Sequence, residues 1–213
     1  MNRRRLLAVV FALLLFTPLP VLAQAGSQWV AAQSTLTYHM THPLHDVDGT
    51  SHAAKGKGVC GNGQCVFLIA VPVNSFNSGD TNRDLHMLEA TRGAAFPLAV
   101  VHARFPASQL QSSTIDADLQ VQFAGQSHTY GHVPFRRTVD GAGMRIAGTI
   151  PLTCSDFEIQ RPTFLGVPIK NDIPVSVDMT WRPTLMAHRR RPQTPRRGLT
   201  GPWPPCWRKW PTA

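Results

Sequence analysis

Four histidines, His39, His42, His45 and His52, form the densest group of potential metal ligands in the chain, and neutral imidazoles suit zinc, copper or haem iron. On a strand His39 and His42 point to opposite faces, so that pair alone makes no site. Pro43 turns the chain, which lets His45 and His52 approach one of them. The competing reading gives these rings satisfied polar roles, and the metal- or haem-binding exported protein stands as the alternative function. Cys60 and Cys65 flank Gly61-Asn62-Gly63-Gln64, a hairpin turn that lets them face each other, so a disulfide is expected in an oxidising compartment. Their C-x4-C spacing departs from the C-x2-C of metal and redox pairs. Cys154 has no local partner, and Cys206 can pair with it, pair with another chain, or stay free. Arg83 and Asp84 can pair with each other or with the turn backbone, or Arg83 with His86 can meet an anionic or carbonyl group. No nucleophile elbow, phosphate-binding glycine loop or H-E-x-x-H helix is present, and no acid-base pair converges, so the expectation is a protein that is not an enzyme.

Arg83 belongs to the stretch from Asn74 to Pro97, in which a polar turn and a short helix separate two strand patterns. Ser78 or Asp80 can cap the helix, Asn82, Arg83 and Asp84 lie in its first turn, and Leu85, Met87 and Leu88 supply an apolar stripe. Gly93 ends it and Phe96-Pro97 opens the next strand. Elsewhere strict alternation recurs at Leu36, Tyr38 and Met40, at Ile115, Ala117, Leu119, Val121 and Phe123, at Met144, Ile146, Gly148, Ile150 and Leu152, and from Ile173 to Trp181. Weaker patterns run from Ala53 to Cys60, Gln64 to Val73, Leu98 to Phe105 and Ser127 to Phe135. Eight antiparallel strands result, and periodicity alone permits a barrel or a sandwich.

With Ser34-x-Leu36-x-Tyr38-x-Met40-x-His42 upstream and Gly148-x-Ile150-x-Leu152-Thr153, Ser155-Asp156-Phe157-x-Ile159 and Leu165-Gly166-Val167-x-Ile169 downstream, this helical stretch resembles the YceI-like family of secreted bacterial lipid-binding proteins. The resemblance covers roughly residues 29 to 181 and implies an all-β fold with one short helix, an eight-stranded antiparallel lipocalin-like barrel around a long apolar cavity. It places Leu36, Tyr38, Met40, Val100 or Val101, and Phe105 inward. Leu119, Val121, Phe123, Ile146 and Ile150 follow, and Phe157, Phe164, Leu165, Val177 and Met179 complete the lining. His42, Asn77 and Arg83 would stand at the mouth, where a ligand head arrives. The ligand implied is an isoprenoid lipid, a polyprenyl phosphate or a quinone-type chain, held with no covalent step and no other cofactor.

Residues 1–25 carry Arg3, Arg4 and Arg5, an apolar run from Leu6 to Phe16 and small residues near Ala23 or Ala25, the layout of a secretory signal peptide. The expected location is therefore periplasmic or secreted. Of the 21 Lys/Arg, 3 lie in this leader and 7 in residues 183–213, so the domain at 26–182 holds 11 beside all 12 Asp/Glu. The net charge of +9 thus describes the ends, and nucleic acid is not an expected partner. The basic tail, rich in Pro, Arg and Trp, is expected to be disordered. It can meet an anionic membrane surface through Trp203, Trp207 and Trp210. A homodimer is compatible with the sequence.

Overall fold

The computed structural model describes residues 26–43, 45–164 and 166–184. The expected leader lies outside them, as does the expected tail beyond Thr184, while Pro183 and Thr184, expected in the tail, end the last strand. Strands β1 (Ser27–His42), β2 (His45–Ser51), β3 (Lys55–Gly61), β4 (Gln64–Pro72), β5 (Leu98–Pro106), β6 (Thr114–Phe123), β7 (Gln126–Asp140) and β8 (Gly143–Ile150) follow in order. Two short strands, β9 (Thr163–Phe164) and β10 (Val167–Pro168), pair in a loop before β11 (Val175–Thr184). Each long strand pairs with the next in antiparallel fashion, and β11 returns to β1 from Gln28↔Thr184 to Tyr38↔Val175. The sheet is closed. Closure removes the exposed edges that would otherwise template aggregation.

β2 and β3 lie along β1 in one continuous register, His42↔His45 and Leu36↔Ser51 for the first, Val30↔Lys57 and Ser27↔Cys60 for the second. They form a single stave interrupted at residues 52–54, so the barrel has eight staves. The sequence pattern begins this stave at Ala53. Asp46, Asp48 and Gly49 are weak strand formers, and their pairing with the end of β1 overrides that propensity. A register shift between Ala31 and Gln33 switches the inward parity of β1. Trp29 and Ala31 pack on the core before it, and Ser34 and Leu36 are buried after it.

The turn between β3 and β4 holds Asn62 at φ 52° and Gly63 at φ 77°, the two left-handed central positions of a tight hairpin. Cys60 and Cys65 face each other across it and are joined as a disulfide. Inside, Gly58 makes room for Phe67, because a Cβ there would stand 2.4 Å from the ring. Leu119, Val121, Met144 and Phe157 are almost wholly removed from water. Each such side chain contributes about 1.5–3 kcal/mol on burial.

Helix α1 (Thr81–Ala90) crosses between β4 and β5 at the end of the barrel that also carries the β6–β7 turn and the loop from β8 to β11. Asp80 is its cap, accepting from the Asn82 and Arg83 N–H groups at 2.9 and 3.2 Å. The expected apolar stripe does not reach the core: no helix residue is buried, and Leu85 is 53% exposed. The helix also stops before Gly93. Thr91 caps it, and Arg92 takes the left-handed conformation at φ 55°. Arg92 donates to the Ala124 carbonyl and lies 5.4 Å from the centre of the Phe96 ring, which ties the helix exit to the β6–β7 turn.

Candidate ligand-binding site

The inward faces of the staves leave a cavity of about 70 Å³ whose lining is apolar throughout. Leu36, Phe105, Leu119, Ile146, Ile150, Val177 and Met179, all expected at inward positions, are brought together around it. Of the two alternatives on β5, Val101 lines it. Phe67, Ile69, Ala103, Ile115, Ala117, Phe135, Met144 and Trp181 complete the wall. Towards the disulfide end an aromatic group narrows the space, with Phe67 edge-on to Trp181 at 4.7 Å and stacked on Phe105 at 5.4 Å. A cavity this small beside the roughly 300–1,000 Å³ of ordinary ligand pockets is a slot. It has no lining group to hold water, so it favours apolar chains.

The helix end of the slot is closed by residues from the loop after β8. The short helical turn Ser155–Phe157 drops Phe157, wholly buried, against Phe123 with ring centres 5.5 Å apart. Val121, also buried, lies between this plug and the cavity wall at Leu119. Next to the plug, Tyr130 donates to Asp156 Oδ2 at 2.6 Å, and His128 Nδ1 lies 3.9 Å from Asp156 Oδ1. Burial, and then the Asp156 carboxylate, push the Tyr130 phenol well above its ordinary value. For Asp156 partial burial acts upward, but the donated bonds of Tyr130 and Thr153, with His128 nearby, leave its carboxyl below the usual range. A lowered carboxyl value stabilises the fold above the ordinary Asp value of about 3.9 and loses that contribution as pH falls through the folded value. Acid unfolding followed by tryptophan fluorescence should therefore have a shallower slope below about pH 4 for Tyr130→Phe than for the wild type. Identical slopes would exclude the Tyr130–Asp156 pair as a source of acid sensitivity.

Cys154, the nearby free thiol, is buried, and burial pushes it above its ordinary value.

The residues expected at the mouth have identifiable partners. His42 is buried, with Nε2 3.2 Å from the Val167 carbonyl oxygen. The Asn77 backbone exchanges hydrogen bonds with Thr50 at 2.9 and 3.0 Å, and its side-chain oxygen accepts from the Gly79 N–H at 2.7 Å, so it locks the turn before α1. Arg83 donates to the Ser78 carbonyl at 3.0 Å. Tyr38 leaves the cavity wall and packs on Phe76 at 5.7 Å, while Met40 is half-buried against the core. Burial and then the Asp84 charge raise the Tyr38 phenol. Leu165 lies outside the described residues, as does the Phe164 side chain.

The barrel and its slot agree with the comparisons. A family model described as the YceI-like domain matches residues 28–181. The chain belongs to the YceI-like family. A search among curated proteins finds no match. Among solved structures, the chain is similar to Burkholderia cenocepacia BcnA at 13% identity and TM-score 0.59, covering 69% of this chain and 95% of that one. It is also similar to a polyisoprenoid binding domain from Saccharophagus degradans implicated in plant cell wall breakdown. That likeness has 11% identity and TM-score 0.60, over 73% of this chain and 98% of that one. At such identity these two likenesses establish the barrel.

In this YceI-like barrel the alternative reading of the four histidines as a metal site finds no support among the described residues. His39 faces outward, 2.8 Å from Asp48 Oδ1 and 2.8 Å from Ser176 Oγ. His52 Nδ1 lies 3.2 Å from the Ser34 carbonyl oxygen and 3.1 Å from Thr35 Oγ1. His42 is on the opposite face of β1 from His39. Strand parity thus separates the rings, and among the described residues no group of three His, Cys, Asp or Glu side chains is placed to hold a metal ion. The His45 side chain lies outside the described residues.

Proposed function

We propose that this protein binds a long isoprenoid chain, of the polyprenyl phosphate or quinone type, inside its barrel and carries or sequesters it without a covalent step. The observation that carries this reading is the slot itself, enclosed by eight staves and lined only by aliphatic, aromatic and sulfur-containing side chains. Moving a chain from water into such a space is worth about 0.8 kcal/mol per methylene before ordering costs. The binding of polyisoprenoid by the structurally similar domain from Saccharophagus degradans supports the same chemistry. Export to the periplasm is the matching location: the leader pattern of residues 1–25 supports it, and so does the disulfide, which persists in oxidising compartments.

Native mass spectrometry of the protein purified from a bacterial periplasm, with solvent extraction of the same sample, tests this. A bound species of one defined mass, extracted as an isoprenoid, is the expected result. An unliganded mass that persists after incubation with geranylgeranyl phosphate and with a short-chain quinone would overturn it.

A further inference from the structure

We propose that Arg137 receives the head of the bound chain, so that the ligand is a long apolar chain ending in a phosphate or carboxylate. This rests on the carrier reading above and adds to it the end of the barrel at which the head sits. β7 pairs with β8 through Phe135↔Gly148, Arg137↔Ile146 and Val139↔Met144. Phe135, Ile146 and Met144 all line the slot, so Arg137 shares their inward face. Its neighbour Arg136 is exposed on the outer face. Among the described residues, Arg137 is the lone Lys, Arg, Asp or Glu on the inward faces of the eight staves. Its Nε is buried without a hydrogen-bond partner.

Arg137 is half-buried with its Nε shut off from water, and burying even part of a permanently charged guanidinium against an apolar wall is costly unless an anion offsets it. The acids nearest in the sheet are already committed. Asp140 pairs with Arg182 at 3.0 Å, and Asp178 is bidentate with Arg145. Arg83, at the opposite end, also has a buried Nε without a partner, but its guanidinium donates to the Ser78 carbonyl at 3.0 Å. The Arg137 side chain has no such acceptor among the described residues, and its planar donors match the paired oxygens of a phosphate or carboxylate. The head therefore sits at the end away from α1, beside the Asp140–Gly143 turn, with the chain running along the slot towards Phe157.

Calorimetric titration of the whole protein with geranylgeranyl phosphate, geranylgeraniol and palmitate tests the assignment, on the wild type, Arg137→Gln and Arg137→Lys. The phosphate should bind the wild type about tenfold or more tightly than the alcohol, a preference that Arg137→Gln removes and Arg137→Lys retains in part. Binding of the alcohol to the glutamine variant should be unchanged, which shows the barrel intact. A larger loss for palmitate than for the phosphate would identify a carboxylate head. Equal binding of phosphate, palmitate and alcohol by the wild type overturns the role of Arg137 and leaves the carrier reading standing. Loss of the alcohol together with the anions in Arg137→Gln makes the residue part of the barrel frame and overturns it as well. If no chain binds the wild type, the carrier reading falls and the assignment with it.

Discussion

Phe157→Ala is expected to lower the unfolding free energy by about 3–5 kcal/mol, the usual cost of emptying a fully buried phenylalanine site. The whole ring is hidden from water, and its neighbours cannot follow it inward. Phe123 is fixed at the end of β6 by the two-residue turn Ala124-Gly125, with both residues left-handed at φ 49° and 81°. His128 lies on the facing strand, its ring centre 6.4 Å from that of Phe157. The left-handed residue after the plug, Glu158 at φ 52°, holds the turn that delivers the ring. A cavity is therefore left behind, and its cost adds to the lost transfer term. Urea unfolding monitored by circular dichroism measures the change. Since the stability of a domain is about 5–15 kcal/mol, the loss is a large share of the total. A change below about 1 kcal/mol would mean that the loop after β8 does not close the barrel.

The staves that were legible in the sequence are those whose two faces differ chemically. β6 alternates Ile115, Ala117, Leu119 and Val121 with Asp116, Asp118, Gln120 and Gln122, and its inward set follows directly from period two. β4 does not announce its inner face, because its outward residues Val66 and Leu68 are apolar too and remain 42% and 43% exposed. Phe67 and Ile69 are therefore hidden in an unbroken apolar run. β2 was illegible for the opposite reason, since its aspartates and glycine carry no strand signal and only pairing to β1 makes it one. Helix α1 was recognisable from its cap, but its burial was not: an apolar stripe in sequence says which side chains can pack, not whether a partner surface is there.

Arg137 shows a third kind of limit. Extrapolating the alternation from Tyr130 along β7 sends Arg136 inward and Arg137 outward. A register shift between Ala117 and Leu119 on β6 places an extra residue in β7 near His132, which has φ 56°. Asp118 Oδ1 accepts the His132 N–H at 3.1 Å and holds the bulge. The parity reverses beyond it, so that Val133, Phe135 and Arg137 face the interior. No periodicity in the sequence reports such an insertion. The strand pattern ending at Phe135 also stopped short of the charged pair, which reads as the start of a turn when pairing with β8 is unknown. Asn77 and Arg83, expected at the mouth, bond the turn before the helix and its first residues.

Ala103→Phe is expected to weaken binding of geranylgeranyl phosphate by more than tenfold while the barrel stays folded. Ala103 lines the slot from β5, opposite Phe67 on β4 and Leu119 on β6, and its small side chain helps to keep the space open there. A phenyl ring fills this narrow point. Overpacking a well-formed core costs about 1–3 kcal/mol, which lowers stability without unfolding the domain. The chain must then give up methylenes beyond the blockage, each worth about 0.8 kcal/mol, so two lost methylenes already account for the tenfold change. Gln120→Phe supplies the control, because Gln120 is exposed on the outer face of the neighbouring strand and a ring there leaves the slot untouched. Calorimetric titration of both variants, with thermal unfolding to verify folding, separates the two faces of one wall. Equal affinities for wild type and a folded Ala103→Phe protein would place the chain outside the barrel, whatever the cavity suggests. A loss confined to Ala103→Phe puts it inside. The enclosed apolar volume then sets affinity through chain length, and the head group adds to it and sets orientation and selectivity.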